Sequence, residues 1–395
     1  MTNDEPKSPT TDLDVPNGIL ARLILRLHLA RTQNQAVVHS TLLFIGLAFV
    51  PLMVLSLATG IELNGSITMP LRSDHVTMSR YLLAAPILML SELLTRKWLT
   101  KATARFRDIV EESDVDRYNQ MSSSCFRLRD SIYIDFIILA IAFTSSICGT
   151  SIVLAIEPSS WQARMHEGST ALSIPGYWNT FLSQPLFRFV VLSWFVDYLV
   201  WTYFLFRVSR LPLRIIASHA DGVGGLSFVS ATQSQFAVTA FALSCAICSV
   251  VAQTVQHSHV KLQSFTHLGI VFLAVILILF VGPLLVFTPR LAQTRLHGIY
   301  MYGALCHELS RTFASKWIPV REKKSESEPI LGSGDPSTLA DMNSNFQTVQ
   351  KMKPVLFDRQ FVTGFVVATC LPALPLVASV IPLKDLCMQL LKSLM

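Results

Sequence analysis

Charge is scarce in this chain: 15% of its 395 residues are Asp, Glu, Lys or Arg, against 51% that are hydrophobic. So little polar surface cannot coat a water-soluble fold of this size, which leaves lipid to cover it. A secreted disulfide framework is also missing, because the seven cysteines are odd in number and Cys148, Cys245, Cys248 and Cys370 lie inside apolar runs. Cys245 and Cys248 form a CxxC, read as two small residues at a helix contact rather than as redox or metal chemistry. No cleavable signal peptide fits, since the first apolar run begins after residue 39 and is too long. Internal repeats are not apparent, and neither a nucleophile motif nor a metal-ligand cluster stands out, so catalytic residues, metal and cofactors are all read as none. His257, His259 and His267 cluster around one turn between apolar runs, where a hydrated polar turn accounts for them better than a metal.

What the chain has instead is long apolar runs. Residues 40–61, 136–156, 235–256, 262–289 and 360–383 carry no charge, and 189–206 is broken only by Asp197. Each is long enough for a helix to cross about 30 Å of hydrocarbon. A weaker run, 81–98, carries Glu92, Arg96 and Lys97 at one end. Counting it as a span puts 25 of the 32 Lys and Arg on one side of the membrane and leaves six on the other, the bias expected of cytosolic loops. The predicted fold is therefore all-α: a polytopic transmembrane bundle of seven spans with the N-terminus cytoplasmic and the C-terminus outside. The net charge of +6 is explained by this orientation, not by nucleic acid.

Around the spans, residues 1–17 read as a disordered tail and 18–39 as a basic amphipathic helix along the inner membrane surface. Residues 40–289 hold six spans, with a cytosolic helical loop at 99–131 and a glycine loop at 207–228. A cytosolic connection at 290–359 contains a flexible linker at 322–336 and a short helix beyond it; 360–395 is the seventh span with a short tail.

Ionisable groups at membrane depth need a reason to be there. Glu92 precedes Arg96 by four residues and an ordinary ion pair explains it. Arg188 stands near the outer end of its run, where its long stem can lift the charge to the interface. Asp197 is too short for that, and Arg188 nine residues earlier points to the opposite face. Trp194, Asp197 and Trp201 form one stripe that should face other helices. Two readings stay open for Asp197: a protonated carboxyl bonded to a neighbouring helix, or a member of an ion or proton path.

The most sharply composed polar stretch is 207–228, RVSRLPLRIIASHADGVGGLSF. His219 and Asp221 share one side of an extended piece, Asp221-Gly222 signals a turn, and Gly224-Gly225 permits close backbone approach. Backbone N–H groups at a helix start near Gly225, with Arg207, Arg210 and Arg214 close in sequence, could hold a phosphate or an anionic lipid head group. The plainer alternative is a turn in which Asp221 caps the helix and the arginines touch lipid, since GxGG without a Walker lysine is a weak phosphate signal.

The stretch 204–229, FLFRVSRLPLRIIASHADGVGGLSFV, resembles the hallmark of a family of uncharacterised bacterial polytopic inner-membrane proteins, in which a tryptophan-rich helix leads to R-x-S-x-L-x-L-R and an H-P-D-x-x-G-G-L loop. PILMLSE at 86–92, RLRDS at 127–131, GPLLVFTPRL at 282–291, Lys316-Trp317 and residues 332–352 are similar to further segments of that family. Ala220 stands where the family has its loop proline. The resemblance implies a bacterial inner-membrane location and an interest in Arg214, His219, Asp221, Gly224, Gly225, Asp335 and Asp341, but no reaction, substrate or protein partner. Three functions follow as expectations: a transporter or channel using Asp197 and the glycine loop as a gate, a scaffold or sensor with a cytosolic partner, or an enzyme on a lipid or phosphorylated substrate through His219 and Asp221.

Overall fold

The computed structural model describes residues 32–60, 69–129, 131–156, 160–166, 169–258, 260–318 and 334–380. The expected tail 1–17, the first part of the segment 18–39, most of the linker 322–336 and the C-terminal tail lie outside the described residues. Among the described residues, seven helical stretches are long and apolar enough to cross a membrane. They are α1 and α2 (Gln33–Ala48 and Val50–Ala58), α3 and α4 (His75–Met78 and Ala85–Ile109), α6 (Ile132–Ile156), α7 and α8 (Ile174–Trp178 and Gln184–Val208), α9 and α10 (Ser227–Ser234 and Ala237–Ser258), α11 (Thr266–Val281), and α14 and α15 (Arg359–Cys370 and Leu374–Val380). The weak run at 81–98 lies within one of these stretches, its first four residues in a wide turn and the rest in α4. Residues 33–39 belong to α1, so the expected interfacial segment is not separated from the first span.

The polar connections are helical too. α5 (Val115–Arg129) precedes α6, while α12 (Thr288–Trp317) and α13 (Asp335–Lys351) pack against each other as a pair. A hairpin of two short strands, β1 (Ala163–His166) and β2 (Ser169–Leu172), joins α6 to α7, with Ala163 opposite Leu172 and His166 opposite Ser169.

Two stretches, 75–109 and 174–208, run for 35 residues each. At 1.5 Å per residue that is about 52 Å, well beyond the roughly 30 Å of hydrocarbon, so their ends project from the lipid layer. The surplus is sheathed at one end of the bundle by α5, α9, α12 and α13, and here the larger core lies: Phe106, Tyr118, Phe204, Leu226, Phe287, Leu291, Val349 and Met352 are all buried together. A smaller core at the opposite end gathers Phe44, Leu52, Leu71, Tyr81 and Trp161. Between them, α6 and α11 leave Ile137, Ile141, Ile270, Val271, Val275 and Ile278 exposed, the faces that lipid covers.

Prolines set the breaks. Pro51 lies at the start of α2, and the carbonyl of Leu47, four residues earlier, has no N–H to accept from within the helix. Trp178 supplies one across the interface, its indole N–H donating at 3.1 Å. Pro283 does the same to Leu279 at the end of α11, where Tyr198 Oη donates at 2.5 Å. Two wide π-turns, Ser79–Ala84 and Asn179–Ser183, stand just before Pro86 and Pro185. In lipid no water could serve these carbonyls, and at Leu47 and Leu279 a side chain from another stretch takes its place.

Candidate functional site

The glycine loop is a closed structure built around one carboxylate. Asp221 Oδ1 accepts from the N–H groups of Val223 at 2.9 Å and Gly225 at 3.0 Å, and Oδ2 accepts from Ser227 at 3.1 Å. The turn needs left-handed backbone at Gly222, Gly224 and Gly225, with φ of +67°, +70° and +93°. Other residues adopt that region only at a cost of about 1–2 kcal/mol each. His219 Nδ1 stands 2.9 Å from Asp221 Oδ1. Burial pushes the Asp221 carboxyl up, but three backbone donors and His219 outweigh it and hold the group below the usual carboxylate range. A carboxylate so fully engaged is a weak base, and what the geometry shows it doing is closing the turn, with His219 beside it.

The same bonds bear on the phosphate reading. The N–H groups at the start of α9, which the sequence offered to an anion, already serve Asp221, and its negative charge stands where a phosphate would have to sit. The three arginines do not converge there either. Arg207 stacks on Tyr203, with 5.6 Å from Cζ to the ring centroid, and Arg210 lies over Phe206 at 4.2 Å. Arg214 pairs with Glu112 at 3.3 Å and its backbone N–H donates to Ile109 at 2.7 Å.

The loop docks on α13, on Met352 and Lys353 just after it, and on α12. Lys353 N–H donates to the Gly222 carbonyl at 2.8 Å. A Cβ added to Gly224 would meet Ile215 at 2.2 Å and Met352 at 3.2 Å, and one on Gly298 would meet Ala217 at 2.5 Å and Val349 at 3.0 Å. Both glycines therefore leave room for side chains packed on them from other segments. Asp335 ties the start of α13 to the end of α12, accepting from Lys316 Nζ at 2.7 Å and Trp317 Nε1 at 3.1 Å, and these bonds lower its carboxyl below the ordinary value. Asp341 lies on the exposed face of α13 and joins neither group.

Asp197 has a partner that the sequence could not name: the Arg129 guanidinium, whose Nε donates to Asp197 Oδ1. Arg129 Nη1 also donates to Asp135 Oδ1 at 2.9 Å. One arginine at the foot of the third span thus holds carboxylates from α6 and α8. Arg129 and Asp135 are sealed, with 4% and 7% of their side-chain surface open, whereas Asp197 keeps 28%. Asp197 is 11 residues from Val208, about 16 Å along α8, so the pair sits near the level where the projecting part of the helix begins.

The tryptophans turn elsewhere. Trp194 stacks on Tyr198 with ring centroids 5.5 Å apart. Trp201 is buried and donates from Nε1 to Gln233 Oε1 at 3.0 Å. Gln233, fully buried, passes its own N–H bonds to Tyr198 Oη and the Phe280 carbonyl, each at 2.9 Å. This knot joins α8, α9 and α11, and it was missed because one glutamine in a polar stretch carries no sequence signal.

Among the described residues no group of three or more His, Cys, Asp or Glu side chains could hold a metal ion. His257 Nδ1 lies 3.1 Å from the Gln253 carbonyl of its own helix, and His259 is outside the described residues. Neither a protein family model, nor a curated protein, nor a solved structure matches this chain.

Proposed function

We propose that this integral membrane protein is a proton-responsive transporter of a bacterial inner membrane, oriented with the arginine-rich end and N-terminus in the cytosol and the C-terminus outside. The orientation draws on the one-sided distribution of Lys and Arg, and the bacterial setting on the resemblance of 204–229 to its family. The observation that carries the transport reading is the Arg129 bridge between Asp135 and Asp197 on adjacent spans. Protonating the more open Asp197 weakens the bridge and frees α8 from α6, while the glycine loop closes the cytosolic end in the bridged state.

The test is proton flux. Reconstituted into vesicles loaded with a pH-sensitive dye and given a potassium diffusion potential, the parent protein should pass protons faster than empty vesicles, and Asp197→Asn should return the rate to that of empty vesicles. A parent protein indistinguishable from empty vesicles sinks the reading. Reporters fused to the two termini should lie in different compartments.

A scaffold reading is favoured by one feature. Leu296, Tyr300, Met301 and Leu305 are exposed along α12, which starts at the arginine-rich end. If that face carries a protein partner, Leu296→Ser with Leu305→Ser should release it from purified membranes while the fold persists.

A further inference from the structure

At the end of the bundle opposite the glycine loop, two arginines lie within electrostatic reach of each other, and among the described residues no carboxylate pairs with either. Arg188 reaches sideways from α8 onto α6, where a Cβ on Gly149 would lie 2.7 Å from its Nη2 atom. Gly149 therefore leaves the space that the guanidinium occupies. Nη2 donates to Gln184 Oε1 at 3.2 Å, while Nη1 is buried with no hydrogen-bond partner. Arg80, on the facing π-turn, holds its Cζ 6.0 Å from the centroid of Phe187, next in sequence to Arg188, and lies within electrostatic reach of it.

The surroundings are polar but neutral. Thr150 and Thr180 hydroxyls are 3.1 Å apart beside Gln184, and Tyr81 Oη donates to Asn179 Oδ1 at 2.6 Å. The buried carboxylate on this side, Asp74, is already used by Trp161 Nε1 at 2.9 Å and by the backbone and hydroxyl of Thr77 at 2.9 and 2.7 Å. Among the described residues no carboxylate bonds or pairs with Arg188.

A guanidinium partly withdrawn from water with a buried, unbonded N–H is unfavourable, and a second positive charge within electrostatic reach adds to the cost, unless an anion completes them. Its long stem does not carry the head clear of the bundle, since Nη2 packs on Gly149 and bonds Gln184. The planar fork of arginine matches paired oxygens of phosphate. Both π-turns contribute here, and such turns recur where backbones are bent around ligands.

We propose that Arg188 and Arg80 form a binding site for a phosphate group, supplied by a lipid head group or by a soluble phosphate, in the cleft between α6, α8 and the Ser79–Ala84 turn. The site does not rest on the proton reading: Asp197 is nine residues further along α8, and Asp197→Asn leaves both arginines in place.

Thermal unfolding of the full chain in alkyl maltoside micelles, followed by tryptophan fluorescence, tests it. One arm titrates inorganic phosphate against chloride at equal ionic strength, and the other titrates short-chain phosphatidylglycerol. A saturable rise in Tm is expected in one arm, phosphate identifying a soluble ligand and phosphatidylglycerol alone a lipid head group. Arg188→Gln should weaken the effect on the order of tenfold or more, the worth of a charge-assisted hydrogen bond. Gly149→Ala, which keeps every charge and suits a helix, should weaken it by crowding the guanidinium; it and Arg80→Gln decide the matter if Arg188→Gln does not fold. No rise in either arm, or an equal rise in parent and variants, overturns the proposal.

Discussion

The two ends of the bundle treat buried charge in opposite ways. At the glycine-loop end, Arg129 is enclosed with Asp135 and Asp197, and Asp221 is enclosed by four donors. At the other end Arg188 has one amide acceptor and a second arginine for company. Charges that are matched within the chain serve to join its elements, whereas a partly buried charge left without a carboxylate points to something outside the chain.

The sharpest way to break this contrast is to remove each arginine in turn. Arg129→Gln strands Asp135 and Asp197 beside each other and should cost about 3–5 kcal/mol, read as loss of folded protein on heating. Arg188→Gln, in micelles without phosphate, should leave stability unchanged or higher. Equal losses at both positions would mean that the two arginines do the same structural work.

Glycines extend the comparison. Gly224→Ala drives a Cβ into Ile215 in a left-handed turn and should destabilise by about 2–4 kcal/mol. Gly149→Ala meets only the end of a movable side chain and should change ligand-free stability far less, so the ratio of the two Tm shifts measures how rigid each end is. A smaller effect comes from pH. The folded Asp221 carboxyl titrates below its unfolded value, so its stabilisation is complete above about pH 4, the ordinary carboxylate range, and is lost as pH falls through the lower folded value. Asp221→Asn should flatten that acidic limb of the Tm curve. Least of all, Asp341→Ala on the open face of α13 should stay within about 0.5 kcal/mol of the parent.

The spans were legible because hydrocarbon thickness imposes a length that any helix must meet, and even the run at 81–98 could be recovered from the positions of Lys and Arg. The glycine loop was legible as a turn: Asp221, Gly222, Gly224 and Gly225 have the types that left-handed backbone and side-chain capping require. Its chemistry was not. Whether the N–H groups at a helix start face an external anion or the chain's own carboxylate depends on where that carboxylate folds back, and the side chains of Arg207, Arg210 and Arg214 go to Tyr203, Phe206 and Glu112 instead. Arg129 could not be picked out from the eight Lys and Arg between 96 and 129, since its role depends on a contact 68 residues away. Gln233 and Gly149 carried no pattern at all.

Composition and the spacing of apolar runs determined by themselves that this is a seven-span membrane protein with its positive charge gathered at one end, because insertion into lipid depends on sums over local segments. The tertiary structure alone decided which charges find partners: helices that enclose an arginine are brought together by packing across the whole chain, and no local sum contains that distance.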